Sequence, residues 1–173
     1  NALNKISFKI DPGEKVALVG RIGSGKSTIE KLVMGFYPPD EGSILIDGIE
    51  LRQIDPIDLR SSVSYIPQDI FLFYGTVKDN ISMGANSMKD EDILKAANLV
   101  GAHDFIRKHP SGYGMRIGEG GTGLSGGQRQ SIACARALTS EASIYLFDEP
   151  TALMDSGSEM NFIQQMKTHI ADN

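Results

Sequence analysis

The sequence predicts an α/β domain with a mixed, mostly parallel sheet and an inserted helical subdomain. Three observations predict this fold class. A short apolar run at residues 15–19 leads directly into glycines and then into a helical pattern. A second apolar run, at residues 143–147, ends in two acidic residues, and residues 77–138 have helical spacing. Strands that alternate with helices favour a sheet covered on both faces.

Five segments have the pattern of strands. Residues 5–10 alternate polar and apolar positions, as a half-buried strand does, and the others are short apolar or β-prone runs. In chain order the predicted strands are residues 5–10, 15–19, 43–48, 62–68 and 143–147.

Helices are predicted where apolar residues recur every three or four positions. One helical segment follows Lys26, others cover much of residues 77–109, and a further one follows Ser125. The last begins near Ser156, with Glu159 at capping-box spacing. We therefore divide the chain into a core at about 1–76 and 139–173 and a helical subdomain at about 77–138.

Composition narrows the classes of function. With 173 residues the chain is long enough for one domain with a sizeable core. Its net charge of −5 argues against nucleic acid as a partner, because phosphate backbones are bound by basic surfaces. The one cysteine, Cys134, excludes a disulfide within the chain and is expected to be a small buried hydrophobe. No apolar run approaches the roughly 18 residues of a membrane span.

The segment "GRIGSGKS" matches a phosphate-binding pattern, with two glycines, a lysine and a serine at fixed positions. Glycines let backbone N–H groups approach a phosphate closely, the lysine adds a positive charge, and the serine hydroxyl can bind Mg²⁺. The following helix contributes the positive end of its dipole. The predicted phosphate-binding residues are Gly20, Arg21, Ile22, Gly23, Ser24, Gly25, Lys26, Ser27 and Thr28.

Two acids follow the apolar run at residues 143–147. Ligands of parallel α/β sheets sit at the carboxyl ends of strands, where Asp148 could hold Mg²⁺ and Glu149 could orient a water that attacks the γ-phosphate. Gln68 follows another predicted strand and could contact Mg²⁺ or that water. Taken by themselves, the acids could instead form a solvated turn, and the glutamine a solvated loop position.

A second glycine-containing helix start lies at "GLSGGQRQ", residues 123–130. Ser125 suits the N-cap position, and Gly126 and Gly127 would permit close approach of an anion. One domain would then carry two phosphate sites.

The segments "GRIGSGKST", "YIPQD", "LSGGQRQ" and "IYLFDEPTALMD" occur in this order. Together they resemble the nucleotide-binding domain of ATP-binding cassette transporters over essentially the whole chain. The resemblance implies a P-loop NTPase with a RecA-like core, and ATP and Mg²⁺ as cofactors. It also implies that Lys26, Gln68 and Glu149 are catalytic, and that the metal is held by Ser27, Gln68 and Asp148.

The resemblance assigns the second phosphate site to a partner. It implies that Ser125, Gly126, Gly127 and Gln128 grip the γ-phosphate of ATP held by a second nucleotide-binding domain, in a head-to-tail pair expected to be a homodimer. Residues 152–155 would be the D-loop, where Ala152 replaces a frequent serine and Asp155 is kept.

The chain is expected to belong to an exporter subfamily and to be most similar to bacterial type I secretion and peptide exporters. "YIPQDIFLFYGTVKDNI" and "IGEGGTGLSGGQRQ" carry this resemblance. Glu119 would then contact transmembrane domains at the cytoplasmic face of the inner membrane. Phe71, Leu72, Phe73 and Tyr74 would form part of the docking surface, although an apolar run of this kind is equally typical of core packing.

Both ends of the sequence resemble truncated family members. The family's switch histidine follows one further strand, so His169 is not assigned to that role, and the adenine-stacking aromatic precedes the first strand. We therefore expect weak or no ATP hydrolysis from this segment alone.

Two alternatives stay open. Chromosome-maintenance and DNA-repair ATPases share these motifs but insert a long coiled coil, whereas only 55 residues separate Gln68 from Leu124 here. A nucleotide-gated module that binds without hydrolysing is the other alternative, against which the intact Lys26, Asp148 and Glu149 argue.

Overall fold

A computed structural model describes residues 3–83, 88–140 and 142–171, with side chains as far as residue 167. The chain forms two compact units, Asn1–Val63 and Ser64–Asn173. Within the described residues, no helix is both long and apolar enough to cross a membrane.

Over its described residues, 3–63, the first unit contains two helices and one hairpin. Its elements are helix α1 (Lys26–Val33), strands β1 (Leu45–Ile46) and β2 (Ile49–Glu50), a 3₁₀ turn (Leu51–Gln53) and helix α2 (Pro56–Ser62). The hairpin is antiparallel and turns at Asp47 and Gly48, which both have positive φ angles. An Asp-Gly pair suits this turn, because both central residues of a type I′ turn need a left-handed backbone. The strand predicted at residues 43–48 is therefore the first arm of a hairpin.

The prediction of strands at residues 5–10 and 15–19 was wrong. Both segments are described, and neither forms a strand. Their apolar side chains are exposed, as in Phe8 (54%) and Val19 (94%). An alternating or apolar pattern shows that a segment could cover a core, but a strand also needs a neighbouring strand to accept its hydrogen bonds.

The second unit carries most of the helices, which are α3 (Val77–Ser82), α4 (Asp90–Leu99), α5 (His103–Ile106), α6 (Gly126–Leu138) and α7 (Ser156–Ala171). Helix α6 packs on α3 and α4, and the side chain of Ile132 is fully buried at that junction. The predicted helical spacing over residues 77–109 is confirmed for α3, α4 and α5. Residues 84–87 of that stretch, and the side chain of His169, lie outside the described residues.

Four strands and two 3₁₀ turns complete the second unit. They are β3 (Val63–Ile66), β4 (Gly75–Thr76), β5 (Arg116–Ile117) and β6 (Ile144–Phe147), with 3₁₀ turns at Gly112–Gly114 and Glu119–Gly121. Strand β3 lies beside β6, while β4 pairs antiparallel with β5. In the described part of the chain the strands form three two-stranded sheets, where the sequence predicted one mostly parallel sheet. The difference follows from the two N-terminal segments, which do not join a sheet.

Candidate functional site

The loop before α1 has the backbone that its glycines allow. Gly23 and Gly25 have φ angles of 78° and 94°, in the left-handed region that side chains disfavour. Gly20 faces Ser24, whose Oγ would lie 2.5 Å from a Cβ added at position 20. The tight turn around these residues is therefore specific to glycine.

Lys26 reaches back across the same loop from the first turn of α1. Its Nζ donates hydrogen bonds to the carbonyl oxygens of Gly20 at 3.0 Å and Arg21 at 3.4 Å. Ser27 and Thr28 follow in the first turn, and helix geometry leaves the first amides of a helix without intrahelical partners. A cation, two hydroxyls and a helix N-terminus therefore share one end of α1, which is a suitable environment for phosphate.

The second unit brings Gln68 and Glu149 together, close to the ends of β3 and β6. The Nε2 of Gln68 donates to the Oε2 of Glu149 at 3.3 Å. Asp148 directly follows β6 and is buried, and its N–H donates to the carbonyl of Ile66 at 2.9 Å. The Asp148 backbone thus extends the contact between β3 and β6 by one residue.

Glu149 has a backbone conformation that is uncommon for its residue type. Its φ angle is 50°, in the left-handed region, which costs about 1–2 kcal/mol for a residue with a side chain. Positions of this kind persist only where the surroundings fix them. The turn that follows Glu149 is therefore held by its contacts.

Gln130, which the sequence reasoning missed, supplies two of these contacts from α6. Its Nε2 donates to the carbonyl of Glu149 at 3.1 Å, and its Oε1 accepts from the N–H of Leu153 at 2.9 Å. The side chain is 1% exposed. The sequence did contain a sign that Gln130 is buried. It lies four residues before Cys134 and seven before Ala137, on the buried stripe of the helix.

The N-terminus of α6 has the predicted cap. The Oγ of Ser125 accepts from the Gln128 N–H at 3.2 Å, and the Gln128 Oε1 accepts from the Ser125 N–H at 3.0 Å, which is a capping box. Ser125 is exposed. A serine hydroxyl that accepts one hydrogen bond keeps its own hydrogen for donation, so Ser125 combines a cap with a donor at the helix end.

The two glycines of this cap pack against the chain's own turn after Glu149. A Cβ added at Gly127 would lie 3.2 Å from the carbonyl oxygen of Leu153, and one at Gly126 would lie 3.4 Å from the Leu153 Cβ. The sequence reasoning explained both glycines by access for an anion. The structure adds a requirement for close packing within the chain.

Residues 71–74 divide between core and surface. Leu72 is fully buried, whereas Phe71, Phe73 and Tyr74 are at least half exposed. Phe73 and Tyr74 also line a surface cavity of about 310 Å³. The core alternative therefore holds for Leu72, and the three aromatic side chains remain available at the surface.

Arg136 anchors this aromatic segment to α6. Its guanidinium donates to the carbonyl of Phe71 at 3.1 Å, to the carbonyl of Asn80 at 2.7 Å and to the Asn80 Oδ1 at 3.1 Å. It also lies 5.5 Å from the centre of the Phe73 ring, within cation–π distance. Partial burial lowers the pKa of Arg136.

Cys134 is the small buried residue that the sequence predicted. The side chain has no exposed surface, and burial raises the pKa of its thiol to about 12. A thiol of this kind stays protonated near neutral pH and is a poor nucleophile.

The predicted metal ligands are a hydroxyl, an amide and a carboxylate, from Ser27, Gln68 and Asp148 respectively. Oxygen donors of these types suit Mg²⁺, which usually takes one or two protein carboxylates and completes its shell with water and phosphate oxygens. In the part of the chain that the structure describes, no cluster of three or more His, Cys, Asp or Glu side chains could hold a metal.

The glycine loop with the lysine at the start of α1 in the first unit, and the acidic end of β6 in the second, are each typical of P-loop nucleotide-binding domains. The sequence profile described as "ABC transporter" matches residues 3–152. The chain belongs to the ABC transporter family. Membership implies nucleotide binding and confirms the P-loop fold class. The ATP-binding domains of exporters in this family are ATPases.

Relatives of known name support the exporter branch. The chain is 47% identical over 154 residues, 89% of its length, to an uncharacterised ABC transporter ATP-binding protein of Sinorhizobium fredii, and covers 26% of that protein. It is 45% identical over 171 residues, 99% of its length, to the alpha-hemolysin translocation ATP-binding protein of Escherichia coli, and covers 24% of it.

A solved structure of a bacterial Atm1-family ABC exporter with ATP bound is also similar. The TM-score is 0.82 at 38% sequence identity, over 86% of this chain and 26% of that one. The chain thus spans about a quarter of the length of these relatives.

Proposed function

We propose that this chain is the ATP-binding and ATP-hydrolysing engine of an exporter of the type I secretion class. The observation that carries the proposal is the hydrogen bond between Gln68 and Glu149 beside the buried Asp148. These residues are 81 positions apart in the chain, and the fold joins an amide to a carboxylate that together could orient a water for hydrolysis. Relatives described as translocation ATP-binding proteins support the transport class.

Residues 20–28 would bind the phosphates of ATP. The glycines would bring backbone N–H groups close to the phosphate oxygens, and Lys26 would exchange its carbonyl partners for the β- and γ-phosphates. Ser27, Gln68 and Asp148 would hold Mg²⁺, which when bound neutralises charge on the phosphates. ATP and Mg²⁺ are thus the proposed cofactors.

Glu149 would act as the general base toward the attacking water. Gln68 already donates to its carboxylate, so the pair could hold one water between an acceptor and a donor. Phosphoryl transfer depends mainly on positioning and charge neutralisation, and Gln68 and Glu149 would supply part of the positioning.

Ser125, Gly126, Gly127 and Gln128 would contact the γ-phosphate of ATP bound to a second copy of the domain. The exposed cap serine and the helix N-terminus would contact this external anion, and the loop at residues 20–28 would serve the chain's own ATP. Closure of two copies, head to tail, would complete two active sites.

The partners would be a second nucleotide-binding domain and the transmembrane domains of the exporter. The exposed Phe71, Phe73 and Tyr74 offer an apolar surface for the latter, at the cytoplasmic face of the inner membrane. The helical subdomain, at about 77–138, would carry the signature segment, residues 124–128, with the RecA-like core at about 1–76 and 139–173. The cargo would be protein, peptide or another substrate, and no nucleic acid is proposed.

The proposal predicts that the Glu149→Gln variant binds ATP but traps the closed pair. In the whole protein that carries this chain, we expect kcat for ATP hydrolysis to fall about 10²–10⁴-fold, the range for loss of a general base. With Mg-ATP the variant should elute as a stable dimer in size-exclusion chromatography. A variant that stays monomeric at saturating ATP would favour a lone nucleotide-binding module.

The matched control adds Ser125→Arg to the Glu149→Gln protein. This change places a bulky cation in the signature segment and leaves residues 20–28 unaltered. We expect ATP affinity of the monomer to stay within about threefold, less than 1 kcal/mol, and the ATP-driven dimer to disappear. Equal loss of ATP binding and dimerisation would contradict the assignment of residues 125–128 to the partner's nucleotide.

A further inference from the structure

The side chain of Gln130 occupies an unusual place for an amide. It is buried on the inner face of α6, at 1% exposure, and both of its polar atoms contact the backbone of the turn that begins at Glu149. The donor goes to the Glu149 carbonyl, and the acceptor receives the Leu153 N–H. One amide therefore spans the turn from its first residue to its fifth.

We propose that Gln130 is a positioning residue for Glu149. The inference rests on the proposed function, in which Glu149 is the general base. Gln130 fixes the carbonyl of Glu149 and Gln68 contacts its carboxylate, so the residue is held at both its main chain and its side chain. Because Glu149 has a left-handed backbone, release of the carbonyl would let φ relax and would redirect the carboxylate.

The chemistry suits an amide at position 130. The site needs a donor for a carbonyl and an acceptor for an N–H within one side chain, and an amide provides both at neutral pH without a hydroxyl's free rotation. The reach from α6 requires the longer of the two amide side chains. A buried polar side chain whose two partners lie on one turn is costly to replace, because each partner would be left unsatisfied.

A second contact between α6 and this turn lies one helical turn closer to the N-terminus. Gly127 faces the Leu153 carbonyl so closely that an added Cβ would be 3.2 Å away. The Cys134 sulfur lies 3.9 Å from the carbonyl of Pro150, one turn beyond Gln130. The turn after Glu149 therefore lies along α6 over about two helical turns, with Gln130 as its central hydrogen-bonding group.

The test replaces Gln130 by methionine, which has a similar volume and no amide. In the whole protein, we expect kcat for ATP hydrolysis to fall about 10–100-fold, since a misplacement of about 1 Å costs this much. KM for ATP should stay within threefold, because the residues that bind ATP are unaltered. Ser64→Ala is the matched control, since it removes another buried hydrogen bond to α6, at the Ala137 carbonyl, and should keep kcat within twofold.

A double-mutant cycle separates positioning from general destabilisation. In the Glu149→Gln background, Gln130→Met should lower the residual rate less than twofold, because the group it positions is already absent. A full 10–100-fold further loss in that background would overturn the proposal. Wild-type kcat in the Gln130→Met protein would overturn it as well.

Gln130→Glu keeps the inference testable if the methionine variant does not fold. This change keeps the acceptor for the Leu153 N–H and places a carboxylate oxygen against the Glu149 carbonyl, so a similar loss of kcat is expected. A Gln130→Glu protein with wild-type kcat would contradict the proposal. The proposed function fails on a different result, namely full hydrolysis by Glu149→Gln, so the two failures are distinguishable.

Discussion

Asp155 caps α7 through three hydrogen bonds. Its Oδ1 accepts from the N–H groups of Gly157 and Ser158, both at 3.0 Å, and its Oδ2 accepts from the Ser158 hydroxyl at 2.7 Å. These bonds, the Ser158 hydroxyl first, lower the pKa of Asp155. The sequence had predicted Ser156 as the cap with Glu159 as its partner, and that was wrong. Glu159 instead accepts from the Thr151 hydroxyl at 2.8 Å.

The Asp155→Ala variant should lose a contribution to stability that depends on pH. A carboxyl whose folded pKa is depressed stabilises the fold above its unfolded pKa, about 3.9, and the contribution is lost as pH falls through the folded pKa. We therefore expect the variant to be less stable than the parent at pH 7, with the difference shrinking below about pH 4. Urea unfolding at pH 7, 5, 4 and 3 measures this difference.

Ser156→Ala is the control for the cap. It alters the adjacent residue, which the sequence favoured, and should leave the urea midpoint unchanged at each pH. If Ser156→Ala destabilised the protein as much as Asp155→Ala does, the assignment of the cap to Asp155 would be contradicted.

At the level of single residues, a side-chain contact could be predicted from the sequence when its partners are close along the chain, and was missed when they are far apart. Ser125 was recognised as a cap because its partner, Gln128, is three positions away. Gln130 was missed because Glu149 and Leu153 lie 19 and 23 positions further on. The pattern places Gln130 on a buried stripe, but the identity of its partners depends on how the chain folds back.

At the scale of elements, α6 and the segment at residues 71–76 are joined mainly by Arg136 and Asn80. The Asn80 side chain donates to the carbonyls of Phe73 at 2.9 Å and Thr76 at 3.0 Å, and accepts from the Phe73 N–H at 2.9 Å. Arg136 then binds Asn80 from α6. The partners of the guanidinium are uncharged oxygens, so hydrogen bonding holds the two elements together.

Arg136→Met should destabilise the second unit by about 2–4 kcal/mol, since it removes three hydrogen bonds of a partly buried cation and takes that donor from the carbonyl of the buried Asn80. The urea midpoint should fall with an unchanged m-value. Arg136→Lys should recover only part of the loss, because one ammonium cannot reproduce a planar fork of donors.

Arg107→Met provides the matched comparison. Arg107 pairs with Asp104 at 3.1 Å, and both side chains are more than half exposed. Exposed pairs of this kind contribute at most about 1 kcal/mol, and we expect a change within about 0.5 kcal/mol. Equal effects of the two substitutions would contradict the anchoring role of Arg136.

The helices were the most predictable elements, because their spacing patterns are long and their signals are local. Helix α6 begins directly after the predicted Ser125 cap, and α1 begins at the predicted Lys26. Strands β3 and β6 also fall inside the predicted segments. The N-terminal strands could not be predicted correctly from their pattern, because a strand depends on a partner elsewhere in the chain.

At the scale of the whole molecule, apolar side chains are distributed unevenly. Helix α6 is buried at seven of its positions, whereas Ile6, Phe8 and Val16 in the N-terminal segment are all about half exposed. Protection from hydrogen exchange follows burial and hydrogen bonding, so it should differ strongly between the two regions.

Hydrogen–deuterium exchange measured by mass spectrometry tests this difference. Peptides covering residues 5–19 should exchange within about tenfold of the unstructured rate, and peptides from α6 should be protected more than about 10³-fold. Protection at residues 5–10 or 15–19 comparable to that of α6 would instead support the strands that the sequence predicts. Peptides from α1 serve as a reference within the same unit.

The close approach of Gly127 to the Leu153 carbonyl also bears on the genetics of this protein. A side chain at position 127 would press on the chain's own turn behind Glu149 and would also disturb the proposed anion contact. If two chains pair as proposed, one mutant chain would affect both active sites of a mixed pair. It would contribute its altered turn behind Glu149 to one site and its altered residue 127 to the other. Such an allele should behave as dominant, and co-expression of an intact copy should not complement it.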